Sequence, residues 1–357
     1  MLANIAKAIT GALLGATALV LPSAAWAGPT LLLDATDGLI LYAEDHDNQW
    51  HPASLTKIMT AYVTFEALRE GKIKLDSKIG CSELAYLQPP SKVGLPVGAE
   101  MTVETALKAL IIKSANDVAV MLAEGVAGSQ DAFVARMNAT AARLGMTRTK
   151  FVNANGLPAS DQVTTARDLA KLAQAVIRDY PEYAAYWSMV EVKVGKRKLR
   201  THNGLLTNYE GADGLKTGFI CDSGFNVVAT ATREGRKLIA VVLGEPTGRE
   251  RTVRAASLLE HGFQTYGWKA LFDPQKLDAM PMALDAKGPM TMRQAVISFE
   301  CGTGRRSVAK KKKGGKSNAV VQSNATKGTA TKQAPSKPKA APKAAQKAAD
   351  SSAAKKQ

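Results

Sequence analysis

The feature that most narrows what this chain can fold into is a lysine set one turn inside an apolar-patterned helix, three residues after a serine. In Pro52-Ala53-Ser54-Leu55-Thr56-Lys57 that spacing projects Ser54 and Lys57 from one helix face. Ile58, Met59, Tyr62, Phe65 and Leu68 then recur at helical spacing until Gly71, which predicts a helix from Ser54 to about Glu70, buried on one side. A serine hydroxyl is a weak nucleophile near neutrality and needs a base within hydrogen-bond reach. A lysine supplies one when burial and nearby positive charge lower its pKa. An isolated S-x-x-K equally describes a helix N-cap followed by a solvated lysine, so the pair acquires meaning only from what accompanies it.

Two companions follow in order. Thr102–Lys113 is apolar-periodic, and Asp117–Ala127 resumes helix after Ser114-Ala115-Asn116, a polar triplet that aims its side chains from a turn. Further helices are expected at Asp131–Leu144 and at Thr165–Tyr180, the latter capped by Thr164 or Thr165. From Val190 the period becomes strand-like. Val190–Val194 and Leu199–His202 flank a probable hairpin turn, Phe225–Thr232 and Leu238–Leu243 form a second pair, and Arg249–Tyr266 reads as a closing helix over the sheet. Near the N-terminal side, Leu31–Leu33 and Leu39–Tyr42 flank Asp37-Gly38 as another hairpin. The second companion, Lys216-Thr217-Gly218, lies on a strand. It offers a cation and a hydroxyl to a carboxylate, and an unencumbered backbone to an extended peptide.

The ordered set S-x-x-K, S-A-N, K-T-G resembles that of the low-molecular-mass penicillin-binding proteins, specifically the serine D-alanyl-D-alanine carboxypeptidases. The resemblance runs from about Gly28 to Trp268 and includes residues 52–60, Ser114-Ala115-Asn116-Asp117, Asn155-Gly156-Leu157, residues 165–170 and residues 213–218. It implies an α+β fold: a five-stranded antiparallel sheet flanked by helices, beside a mostly helical subdomain. Ser54 would be the acyl-accepting nucleophile, Lys57 its base and Ser114 a proton relay. Asn116 would bond the substrate backbone, Lys216 and Thr217 would hold the terminal carboxylate, and Gly218 would let the substrate lie against the strand. The N–H groups of Ser54 and Phe219 would receive the oxyanion. His202 stands where some relatives have an arginine that grips the same carboxylate. The implied substrate is a peptidoglycan peptide ending in D-Ala-D-Ala, with β-lactams as inhibitors and no cofactor.

The ends of the chain read differently from its body. Residues 1–27 match a secretory signal: Lys7, the apolar stretch Ala8–Leu21, then Ala25-Trp26-Ala27 as the small-x-small site. This places residues 28–272 outside the cytoplasm as the catalytic domain. Residues 273–301 form a short extension with weak apolar patterning, shorter than the second β-rich domain of many relatives. Residues 302–357 are rich in Lys, Ala and Pro without apolar periodicity, which predicts a disordered tail. That tail carries 15 Lys and Arg against Asp350, so it holds +14 of the chain's +16 and points to anionic lipid or wall polymers. The body is left near neutral, which argues against a nucleic-acid groove. Cys81, Cys221 and Cys301, odd in number and widely spaced, indicate neither a disulfide framework nor zinc, and the four histidines show no metal-ligand pairing. Three other functions share parts of the pattern. A D,D-endopeptidase uses the same machinery on cross-links. A class A β-lactamase requires an E-x-x-L-N that does not occur between Asn116 and Lys216. A non-catalytic wall-binding protein would work through its tail.

Overall fold

A computed structural model describes residues 28–296 and Cys301. The signal-like segment and the basic tail lie outside the described residues. In chain order the elements are β1 (Thr30–Asp34), β2 (Ile40–Glu44), α1 (Thr56–Arg69), β3 (Lys78–Gly80), α2 (Glu83–Tyr86), β4 (Glu100–Thr102), α3 (Val103–Ile112), α4 (Asn116–Ala127), α5 (Gln130–Arg143), α6 (Ala166–Asp179) and α7 (Ala184–Ser188). There follow β5 (Glu191–Val194), β6 (Arg197–Arg200), α8 (Leu205–Asn208), β7 (Ala212–Ile220), β8 (Gly224–Arg233), β9 (Arg236–Glu245), α9 (Gly248–Phe272) and α10 (Arg293–Val296).

The main sheet is antiparallel in the order β2-β1-β9-β8-β7. Its strands alternate faces with period two. Leu31, Leu33, Val228, Ile239 and Val241 join the core shared with α1 and α6. Leu32, Val227, Ala229, Ala240 and Val242 join a second core under α9. Covering both faces explains why these strands read as nearly unbroken apolar runs. The helix starts follow their caps: Thr102, Ser129, Thr165 and Thr247 each accept a hydrogen bond from the backbone three residues on. These observations agree with the expected α+β architecture.

Two expectations change. α1 is not buried on one side only: every residue from Thr56 to Phe65 is buried, because the helix runs through the middle of α3, α4, α5 and α6 and touches β7. Its threonines disguise this in the sequence, since Thr60 and Thr64 satisfy their hydroxyls on backbone carbonyls inside the core. The cysteines also differ from expectation. Cys221 and Cys301 form a disulfide across 80 residues, leaving Cys81 as the buried free thiol. Parity and spacing could not reveal a single long-range bridge.

The described part of the extension after α9, residues 273–296, holds to the body by hydrogen bonds and has one regular element, α10. Arg167 donates to the carbonyls of Leu277, Met280 and Pro281. Asp47 and Asn48 accept from Ala283 N and Lys287 N. Farther on, Met292 N donates to Asp222 O, and Arg293 pairs with the Asp222 carboxylate.

Candidate active site

Ser54 occupies a 3-10 turn, Ala53–Leu55, that runs directly into α1. No side chain caps this turn, and the Ser54 N–H has no partner among the described residues. The turn is held in an unusual conformation. Ala53 has φ +47°, in the left-handed region that non-glycine residues avoid. Two glycines clamp it from opposite sides. A β-carbon on Gly156 (φ +83°) would collide with the Ala53 carbonyl, and one on Gly218 would stand 3.1 Å from Ser54 N. The Ser54 backbone thus packs against both the Asn155-Gly156 loop and β7.

Lys57 is 1% exposed, and three groups surround its Nζ. Asn116 Oδ1 lies at 2.7 Å, the Asn155 carbonyl at 2.5 Å and Ser54 Oγ at 3.1 Å. Burial, with Lys216 nearby, pushes its pKa well below the ordinary lysine value, against a smaller opposing pull from Asp117. A neutral amine has two N–H groups and one lone pair. The two pure acceptors, Asn116 Oδ1 and Asn155 O, take the two N–H groups, and the lone pair is left for Ser54 Oγ. Asn116 is itself anchored, donating from Nδ2 to Pro89 O at 2.9 Å. Asn155 donates to Gln88 Oε1 at 2.8 Å.

Ser114 has φ +60° and a buried hydroxyl without a hydrogen-bond partner among the described residues. A buried polar atom left unmet at a cavity wall is a candidate for a bound group. The cavity it faces has a volume of about 630 Å³. Ser54, Asn116, His202, Thr217, Gly218, Phe219 and Arg251 also contribute to the wall, and no acidic residue does. Lys216 lies buried beside it on β7, its Nζ bonded to Thr217 O at 2.9 Å. Burial and the charge of Arg251 lower Lys216 to about 7. His202 stands at the rim. Burial of its ring, then Lys113, Lys216 and Arg251, lower it to about 4; its exposed flank tempers that drop, and the ring is neutral at pH 7 in either case.

The sequence-derived residues therefore converge on one cleft: Ser54, Lys57 and Asn116 in direct contact, Ser114 across the cavity, and Lys216 to Phe219 along the edge strand of the sheet. Sequence reasoning missed two contributors. The Asn155 carbonyl is a main-chain group that leaves no side-chain signature. Arg251 is a buried guanidinium on α9 whose contacts to His202 O and Thr252 Oγ1 are long, 3.4 Å each, and whose Nε has no partner among the described residues. Burial lowers it to about 10, so it remains a cation at neutral pH. A signal existed in the three arginines of the first turns of α9, but not which of them faces inward.

The sequence profile of Peptidase S11, described as D-alanyl-D-alanine carboxypeptidase, matches residues 17–247. The chain belongs to the Peptidase S11 family. Among curated S11-type relatives, D-alanyl-D-alanine carboxypeptidase DacC of Escherichia coli is 39% identical over 243 residues, covering 66% of this chain and 61% of DacC. The chain thus spans less than two thirds of that relative's length. Among solved structures, penicillin-binding protein 5 from Haemophilus influenzae matches with a TM-score of 0.65 and 36% identity, over 69% of this chain and 73% of that one. Penicillin-binding protein D2 from Listeria monocytogenes, solved in a cefotaxime-bound form, matches with a TM-score of 0.61 and 33% identity, over 66% of this chain and 97% of that one.

Proposed function

We propose that this protein is a serine D-alanyl-D-alanine carboxypeptidase that removes the terminal D-Ala of peptidoglycan pentapeptides through a Ser54 acyl-enzyme and is acylated by β-lactams. The observation that carries this reading is the set of three contacts around Lys57 Nζ, which directs a neutral amine's lone pair to Ser54 Oγ. Lys57 takes the Ser54 proton as Oγ attacks the carbonyl carbon of the penultimate D-Ala. The carbonyl oxygen becomes an oxyanion, received by the N–H groups of Ser54 and Phe219. Collapse breaks the C–N bond, and the departing D-Ala amine takes a proton passed through Ser114. Water, activated by Lys57, then hydrolyses the ester and returns the proton to Ser54.

Substrate selection follows from charge. A cavity wall without acidic residues, backed by Lys216 and Arg251, favours a ligand ending in a carboxylate. Thr217 adds a hydroxyl, and Asn116 offers its amide to the substrate backbone. β7 is an edge strand, so an extended peptide can lie along Gly218 and Phe219 as an added strand. Neutral His202 serves as a hydrogen-bonding partner at the rim, and Arg251 supplies the cation that the resemblance would have placed at position 202. The test is turnover of a peptide ending in D-Ala-D-Ala by wild type and by Ser54→Ala. Release of D-Ala is expected only from wild type; release by the alanine variant contradicts the assignment.

The same reading places the enzyme outside the cytoplasm, supported by the signal-like N-terminus and by the Cys221–Cys301 disulfide, a bond characteristic of oxidising compartments. The basic residues after Cys301 would attach it to anionic lipid or wall polymers. Deletion of residues 302–357 is expected to leave peptide turnover unchanged and to abolish salt-sensitive binding to anionic vesicles or sacculi. Binding that survives the deletion contradicts the tether.

A further inference from the structure

The two walls of the cleft belong to separate segments of chain. Among the described residues no hydrogen bond joins the Ala53–Leu55 turn to β7; Gly218 only packs against that turn. Yet acyl transfer as read above requires the N–H of Ser54 on one wall and that of Phe219 on the other to meet a single oxyanion. The close packing of Gly218 against the turn limits how near the walls can come, but no hydrogen bond there limits how far they can part.

The extension that follows α9 reaches both walls. On one side it grips residues 47–49, immediately upstream of the nucleophile's turn. Asn48 Oδ1 accepts from Lys287 N at 2.8 Å, and Gln49 N donates to Lys287 O at 2.9 Å. On the other side it grips the turn between β7 and β8, one residue beyond Ile220. Met292 N donates to Asp222 O at 2.7 Å, Arg293 holds the Asp222 carboxylate through two bonds of 2.9 Å, and Cys301 is bonded to Cys221. Trp50 Nε1 also donates to Ser223 O at 3.0 Å, joining the two walls directly.

We propose that residues 273–296, clasped at Cys301 by its disulfide to Cys221, form a belt that sets the spacing between the Ser54 turn and β7, and that Asn48 and Asp222 are positioning residues for acyl transfer. The proposal rests on the reading of Ser54 as nucleophile. Groups held at both ends of a short segment lose independent motion, and a misplacement of about 1 Å in a reacting geometry costs roughly 100-fold in rate. Lys216 and Thr217 on β7 and Arg251 on α9 all belong to the wall opposite the Ser54 turn, so they keep their mutual arrangement when that wall shifts relative to Ser54. Loosening the belt should therefore slow chemistry without weakening binding.

The experiment follows acylation by a fluorescent penicillin under saturating conditions, separating the first-order acylation rate from the dissociation constant of the initial complex. The double variant Cys221→Ser/Cys301→Ser opens the clasp without creating a free thiol. Its acylation rate is expected to fall about 10-fold or more, with the dissociation constant within twofold of wild type and one adduct per chain at completion. A rate equal to wild type overturns the proposal. Should the double variant fail to label to completion, Asn48→Ala and Asn48→Asp decide. The alanine removes the acceptor for Lys287 N and the aspartate retains it, so slow acylation restored by aspartate supports the belt, and equal rates in both overturn it. Wild-type protein labelled elsewhere than Ser54 defeats the functional reading itself, an outcome distinct from failure of the belt alone.

Discussion

Among the described residues two arginines are buried, and they are treated in opposite ways. Arg167 meets Asp47 through two bonds, 2.6 Å and 2.9 Å, and gives its remaining donors to three carbonyls of the extension and to His46. Asp47 answers in kind: burial works to raise its carboxyl, but bonds from Arg167 and from Ala283 N outweigh that and hold it below the ordinary range. Arg251, equally deep, faces no carboxylate and leaves Nε unmet. A buried charge without a partner is costly, and natural proteins keep one where a ligand completes it. The first arginine is architecture; the second is half of the carboxylate site proposed above.

The sharpest way to break this contrast is to truncate each side chain in turn. Arg167→Met leaves Asp47 buried and uncompensated and strips the extension of its anchor. It is expected to lower unfolding free energy by about 3–5 kcal/mol, measured by denaturant titration. Arg251→Met should leave stability unchanged or improved. Its effect is expected in KM for a D-Ala-D-Ala peptide, a rise of about 10- to 100-fold, the range of a hydrogen bond to a charged group. Loss of stability from Arg251→Met comparable to that from Arg167→Met would erase the distinction.

The pattern of what was legible in the sequence follows from the same physics. Ser54, Lys57, Ser114, Asn116 and Lys216 belong to short side-chain motifs of fixed spacing, and those spacings are visible in one dimension. The main sheet was legible because its strands alternate between two cores and turn at Asp37-Gly38 and Glu234-Gly235. The Asn155 carbonyl was hidden because backbone atoms are common to all residues. The disulfide and the Arg167 anchor were hidden because they join segments 80 and more than 100 residues apart. α1's full burial was hidden because its threonines are satisfied locally and look like a polar face.

A smaller effect tests the cation pair lining the cleft. kcat/KM reports the free enzyme. Lys216, lowered to about 7, must be protonated to attract a carboxylate, so kcat/KM should fall above pH 7, about 15-fold between pH 7 and 8.5. Lys57 acts in the opposite sense: as a base it must be neutral, so the acid limb of the profile belongs to its deprotonation. In Arg251→Met the alkaline limb should move upward, because Arg251 is a cause of Lys216's depression. An unmoved limb would separate the two residues. The smallest effect is expected at the rim: His202→Ala should change KM by less than about threefold and leave the profile between pH 5 and 8 intact, because the ring is already neutral there. An inflection near pH 6.5 that vanishes in this variant would restore a charged role to His202.

The central claim is that Lys57 rests as a neutral amine, and its protonation state can be read directly. Protein labelled with 15N at lysine Nζ is titrated by NMR, with the Lys57 resonance assigned by its disappearance in Lys57→Arg. The expected result is a Lys57 signal at the neutral-amine position at pH 7, in a protein whose solvent-exposed lysines remain ammonium, together with acylation slowed by about 100-fold or more in Lys57→Arg. A Lys57 signal at the ammonium position at pH 7 would contradict the account.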